Sequence, residues 1–165
     1  MPKKVKTVQQ GYHTVTPSLA IQGCAGAIEF YKKAFDAAVL FRKDNADGKV
    51  MYASIKIKDS VLMIADDCDP HPEHEQNCAI SPTILNGTTV KFYLNVEDVD
   101  DFFEKAVRAG ALIISPVSDI LSGDRTGALK DPYGHLWTIA TRKENLSNEE
   151  LEERADEFFK QKSSS

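Results

Sequence analysis

The sequence predicts an α+β fold made of two βαβββ units in tandem, followed by a C-terminal helix. Three observations point to it. An amphipathic helical stripe occurs twice, each copy is entered from a strand, and each is followed by three short strands. The pair Lys58-Asp59 and the pair Lys130-Asp131 stand at the same place in the two copies.

The first strand is expected over Val15–Ile21, matching Val90–Val96 in the second copy. The second of these alternates cleanly, with Phe92, Leu94 and Val96 on one face and Lys91, Tyr93 and Asn95 on the other. Period two with one apolar face marks a strand whose apolar side meets a helix. Pro17 predicts an edge or bulged position in the first copy, because proline has no N–H for a ladder.

The helices follow. Ala27, Phe30, Tyr31, Ala34 and Phe35 align with Val99, Phe102, Phe103, Ala106 and Val107. Their shared spacing of i, i+3, i+4, i+7 and i+8 forms one apolar stripe. Asp98 is the expected N-cap of the second helix, Asp100 and Asp101 suit its positive end, and Gly110 closes it. The first helix has no such cap and is entered through Gly23.

Three strands complete each unit. In the first copy they are expected near Ala38–Lys43, Lys49–Lys58 and Val61–Ala65, with Asp47-Gly48 as the hairpin turn. In the second they are expected near Leu112–Pro116, Arg125–Lys130 and His135–Thr141, with the turn Asp131-Pro132-Tyr133-Gly134 before the last. Residues 12–66 thus form the first module, 67–88 a linker, 89–141 the second module and 142–165 a helical extension. In that extension Ser147-Asn148-Glu149-Glu150 is a capping box, and Leu151, Ala155, Phe158 and Phe159 share a side.

The chain has 165 residues and a net charge of −5, with a pI near 5.4. No basic face is evident, which excludes a general nucleic-acid binder. No apolar run is long enough to span a bilayer. The run Lys3-Lys4-Val5-Lys6 lacks the apolar stretch of a secretory signal. Cys24, Cys68 and Cys78 are odd in number and scattered, so a disulfide framework is not expected and a cytoplasmic home is.

Several segments together resemble the vicinal-oxygen-chelate superfamily of glyoxalase I, bleomycin-resistance proteins and extradiol dioxygenases, and within it the PhnB-like branch. They are Tyr12-His13-Thr14-Val15-Thr16-Pro17, the stripe Ala27–Phe35, Gly123-Asp124-Arg125-Thr126-Gly127 and the run Asp131–Thr141. The resemblance implies a curled mixed sheet in each module, helices on the convex side and a shared cavity between the cups. It also implies a homodimer.

Enzymes of that family hold a divalent metal through His, Glu or Gln on the first and last strands of the modules. Carried onto this chain, those positions are Thr16, Met63, Lys91 and Thr138. Hydroxyls, a thioether and an ammonium do not make such a site. No cofactor is therefore expected, and a divalent metal belongs only to an alternative reading as a glyoxalase-type lyase or isomerase. The favoured reading is a protein that binds a small polar, anionic molecule in the cavity. A dimeric scaffold with a vestigial cavity is a third reading.

The candidate binding residues are Lys91, Tyr93, Asn95 and Arg125, with Thr16, Met63 and Thr138 lining the cavity. Lys91 and Arg125 suit a carboxylate or phosphonate. His13 is a candidate acid–base group at the cavity mouth and, on balance, a structural residue. His135 reads as a packed histidine. Cys24, at a helix start, is either an activated thiol or simply buried. Asp66, Asp67, Asp69, His71, Glu73, His74 and Glu75 read as a solvated linker rather than a metal site, since Pro70 and Pro72 break any helix that would align them.

Overall fold

The computed structural model describes residues 7–9, 11–67 and 79–163, the last three as backbone. The chain runs β1 (Ser18–Ile21), α1 (Cys24–Phe35), β2 (Ala38–Asp44), β3 (Val50–Ile57), β4 (Ser60–Asp66) and a short α2 (Pro82–Leu85). It continues through β5 (Lys91–Asn95), α3 (Val99–Arg108), β6 (Leu112–Asp119), β7 (Asp124–Lys130), β8 (Leu136–Arg142) and α4 (Asn148–Ser163). The sheets have the same order, β1-β4-β3-β2 and β5-β8-β7-β6. In each, the first strand runs parallel to the last and the other pairs are antiparallel. Two βαβββ units in tandem are thus present as expected.

Two strand boundaries differ from the sequence expectation. β1 begins at Ser18 rather than Val15. Pro17 has no N–H to give, and the Thr16 hydroxyl turns back to the His13 carbonyl at 3.0 Å, so the chain before Ser18 is held in a local turn. β6 runs on past Pro116 to Asp119. It is an outer strand whose register shifts between Ser115 and Ser118, and there a missing N–H costs no ladder bond.

Alternation decides what each sheet buries. Leu19, Ile21, Ala53, Ile55, Ile57, Leu62 and Ile64 in the first sheet, and Leu129, Trp137 and Ile139 in the second, pack under α1 and α3 in one continuous core. The core crosses the module boundary. Phe35 of α1 lies 4.7 Å from Trp137 of β8 and stacks on Phe102 of α3 at 6.0 Å, centroid to centroid. Lys105 of α3 pairs with Asp36 at the end of α1.

A buried carboxylate fastens the same boundary. Asp131 Oδ2 accepts from the Tyr31 hydroxyl of α1 at 2.8 Å and from Trp137 Nε1 at 2.9 Å. Its Oδ1 accepts from the backbone N–H groups of Tyr133 and His135, both at 2.9 Å. Burial alone would raise this carboxyl, but the His135 imidazole 3.7 Å away and hydrogen bonds from Trp137 and Tyr31 outweigh it and hold it below the usual range. The Tyr31 phenol is pushed well up, by burial first and by the Asp131 charge second.

The two helices are capped differently. Asp98 caps α3 as expected, accepting from the Asp101 N–H at 3.1 Å. At α1 the cap comes from 43 residues away: Asp66, at the end of β4, accepts from the Gly23 and Cys24 N–H groups at 3.0 and 2.9 Å. Its second oxygen accepts from Val50 N–H at 2.6 Å. Asp66 is therefore a structural cap and not part of a solvated linker. Asp69, His71, Glu73, His74 and Glu75 lie outside the described residues. The capping box of α4 is formed, with Ser147 and Glu150 each bonding the other's backbone N–H. Among the described residues no helix is long and apolar enough to cross a membrane.

Candidate functional site

Each sheet has a face turned away from the helices, and cross-strand register defines it row by row in the second sheet. Lys91, Leu136 and Lys130 make one row, and Tyr93, Thr138 and Ala128 the next. Asn95, Ala140 and Thr126 follow, and Arg142 with Asp124 closes the face. Side chains opposite one another in register stand on one face. Three cations thus flank a polar strip: Lys91 and Lys130 at one end, Arg142 at the other.

The strip's polar groups are partly tied. The Tyr93 hydroxyl reaches Asp124 Oδ2 at 3.4 Å. Arg142 Nε donates to Asp124 Oδ1 at 2.7 Å, and its two terminal nitrogens make no hydrogen bond among the described residues. Burial, and then the Asp124 charge, push the Tyr93 phenol up, so it stays a neutral donor. Thr138 is buried and its hydroxyl has no hydrogen-bond partner among the described residues. A buried hydroxyl without a partner is costly.

Other residues complete the surroundings. A cavity of about 540 Å³ opens beside the strip, lined by Tyr93, Asn95 and Arg142 together with Lys58 and Ser60 from the first module. Asp59 and Glu97 also line it. Met63 is half-buried on the corresponding face of the first sheet, in register with Ser18 and Ser54. Thr16 is half-buried in the turn before β1 and stands outside the strand. His13 is exposed at the edge of a smaller cavity between the modules.

Arg125 is a correction. Its register partner is Thr141, one step out of phase with the strip, so it points to the helix side. There it makes two bonds of 2.8 Å to Asp100 at the start of α3 and one of 3.2 Å to Asp119. The hydrogen bonds from Arg125 hold the Asp100 carboxyl below its ordinary range. Arg142 and Lys130 stand on the face where Arg125 was expected. Counting in twos from Thr138 along the last strand reaches Arg142, and that period was the signal available in the sequence.

Cys24 resolves in favour of a buried residue. It is fully buried, and its thiol is pushed up to about 12, chiefly by burial and then by the neighbouring Asp66 charge. His135 packs as expected, buried against Phe92 with ring centroids 6.4 Å apart.

The family implied by the sequence holds its metal through carboxylate, amide or imidazole groups. Thr16, Met63, Lys91 and Thr138 do not offer that donor set, and an ammonium beside it repels a cation. Among the described residues no three His, Cys, Asp or Glu side chains converge on a common point.

Known proteins share this architecture. A family model described as the Glyoxalase/Bleomycin resistance protein/Dioxygenase superfamily matches residues 12–139. The uncharacterized protein Mb0911c of Mycobacterium bovis is 37% identical over 138 residues, covering 84% of this chain and 89% of its own. Among solved structures, TioX from Micromonospora sp. ML1 aligns with a TM-score of 0.59 at 22% identity, over 82% of this chain and 100% of its own. The PhnB protein from Bacillus cereus aligns with a TM-score of 0.59 at 18% identity, over 78% and 99%. The fosfomycin resistance protein FosX from Listeria monocytogenes, complexed with Mn(II) and sulfate, aligns at 0.58 and 13% identity, over 87% and 97%.

Proposed function

The chain belongs to the glyoxalase/bleomycin resistance protein/dioxygenase superfamily, and from that membership we propose that it binds a small anionic molecule on the polar face of its second sheet, without a metal. One observation carries the reading. Lys91, Lys130 and Arg142 flank Tyr93, Asn95 and a buried, unpartnered Thr138 hydroxyl on one continuous face. Cations at the ends and donors between them suit a carboxylate or phosphonate. Binding rather than catalysis fits the donor set at the family's metal positions, which lacks any imidazole or carboxylate.

Titration calorimetry with small carboxylates and phosphonates tests the reading. Loss of one charge-assisted hydrogen bond is worth about 1.5–3 kcal/mol, so Arg142→Ala weakens binding by roughly tenfold or more. Lys91→Ala weakens it in the same direction, and Arg125→Ala leaves it unchanged. Failure of every anion to bind refutes the proposal. Elemental analysis of protein purified without any chelator is the second arm, and a stoichiometric divalent ion there favours the lyase or isomerase reading.

The working unit in this proposal is a homodimer. Val39, Leu40 and Phe41 on β2, and Leu112, Ile113 and Ile114 on β6, are exposed on the outermost strands of the two sheets. Apolar edge strands of this kind call for a cover, and a second copy of the chain supplies one. Light scattering checks this: the wild type runs as a dimer, and Leu40→Lys with Ile114→Lys shifts it to a monomer.

A further inference from the structure

Three cavities lie end to end along β5, and their lining changes character from one end to the other. The polar cavity of about 540 Å³ shares Ser60, Tyr93 and Leu94 with a narrow cavity of about 220 Å³. The narrow cavity shares Pro17 and Phe92 with a third of about 730 Å³. Together they follow the chain from Val90 to Glu97, about 20 Å at the rise of a strand.

The narrow cavity is apolar and reaches inward. Its walls include Ile57 and Leu62 of the first sheet and Phe92, Leu94 and Trp137 of the second, all residues of the helix-facing core or packed on it. The widest cavity continues the apolar lining with Leu19, Ile80, Leu85 and Val90. At the opposite end stand Tyr93, Asn95, Lys58 and Arg142. Lys58 Nζ is held 5.3 Å from the centroid of the Phe102 ring, which keeps one cation at that end.

We propose that the ligand of this face is an amphipathic monocarboxylate, with its head at Tyr93 and Arg142 and its apolar tail laid along β5 into the cavity between the modules. The inference rests on the proposed function and specifies its ligand class. A head group alone fits the polar strip, but it leaves the apolar walls of the narrow cavity wet. A tail of several carbons removes that surface from water. The charge on the head is limited to one. Asp59 and Glu97 line the same mouth, and Asp124 already holds Arg142. The carboxylates at this mouth already outnumber its two lining cations, Lys58 and Arg142, so the second charge of a dianionic phosphonate is left unbalanced.

Calorimetry with acetate, hexanoate and decanoate, decanol and hexylphosphonate tests this. Burying a methylene corresponds to about a threefold to fourfold gain in affinity. Hexanoate is therefore expected to bind at least about tenfold tighter than acetate, and decanoate tighter again. Val15 lines the narrow cavity and is exposed, so Val15→Asp leaves the fold intact. This variant is expected to weaken decanoate about tenfold and leave acetate unchanged, while Arg142→Ala weakens both.

Carboxylates that bind with no gain from chain length overturn the inference and leave the proposed function standing. Binding of no anion at any length refutes both. Decanol as tight as decanoate, with Arg142→Ala silent, overturns the placement of the head, and hexylphosphonate tighter than hexanoate overturns the limit to one charge.

Discussion

Removing the Tyr31 hydroxyl tests how the two modules are joined. Tyr31→Phe keeps the ring against Trp137 and Phe35 and deletes only the bond to Asp131 Oδ2. The carboxylate keeps its other three donors, Trp137 Nε1 and the N–H groups of Tyr133 and His135. A hydrogen bond to a charged group contributes about 1.5–3 kcal/mol. For a chain of this size each kcal/mol moves Tm by about 2–4 °C, so a fall of roughly 3–12 °C is expected. Asp131→Asn is harsher, because an amide set among four donors leaves at least one of them facing another donor. A double-mutant cycle by urea denaturation isolates the bond. Tyr31→Phe is expected to cost almost nothing in the Asp131→Asn background, giving a coupling of about 1–3 kcal/mol. The acid limb gives a second check. The Asp131 carboxyl is held low when folded, so its stabilisation is present above the unfolded value near 3.9 and is lost as pH falls through the folded one. The wild type thus loses this contribution below about pH 4, and Asp131→Asn has none to lose. A Tyr31→Phe variant within about 0.5 kcal/mol of wild type, or additive with Asp131→Asn, refutes the latch.

Other substitutions probe single contacts. Cys24 is buried with its thiol pushed up to about 12, so it resists thiol reagents at pH 8 in the native protein and reacts only on unfolding; prompt labelling of Cys24, read by peptide mass, contradicts the burial. Gly127→Ala places a Cβ 2.5 Å from Cε2 of the buried Phe103 ring and 2.9 Å from Val117, so it is expected to cost about 1–3 kcal/mol by denaturation. Asp66→Ala strips three backbone N–H groups of their acceptor and is expected to cost about 2–3 kcal/mol, with faster amide exchange at Gly23 and Cys24 first.

The duplication was legible because it is written in local periodicity. Ala27 to Phe35 and Val99 to Val107 carry the same stripe, and Asp98 announces its helix from the adjacent position. What escaped was set by pairs distant in sequence. Asp66 reaches α1 across more than forty residues, and nothing in its neighbourhood separates it from the acidic linker that follows. Arg125 was assigned to the wrong face because a strand's facing depends on where pairing begins, and a single residue of phase reverses it. Tyr93 and Asn95 were placed correctly because their strand alternates without interruption. Arg142 needed the same count carried one residue beyond the expected strand end.

The two copies solve the same structural tasks with different side chains. At equivalent turns the first copy has Asp59, exposed and bonded to its neighbour Ser60, while the second has Asp131, turned inward by the added Pro132-Tyr133-Gly134 turn. The added residues lengthen the turn enough for its backbone N–H groups to wrap the carboxylate, and this makes a buried charge tolerable. Conversely, the first copy ends its last strand in Asp66, which caps a helix lacking a capping side chain of its own. The second copy has Asp98 for that task, so the end of β8 is not needed as a cap. That end carries Thr141, bonded to the Val96 carbonyl, and then Arg142, which bonds Asp124 through Nε and is largely exposed. The side chain that caps a helix in one module has no counterpart in the other, where the strand ends in a cation instead.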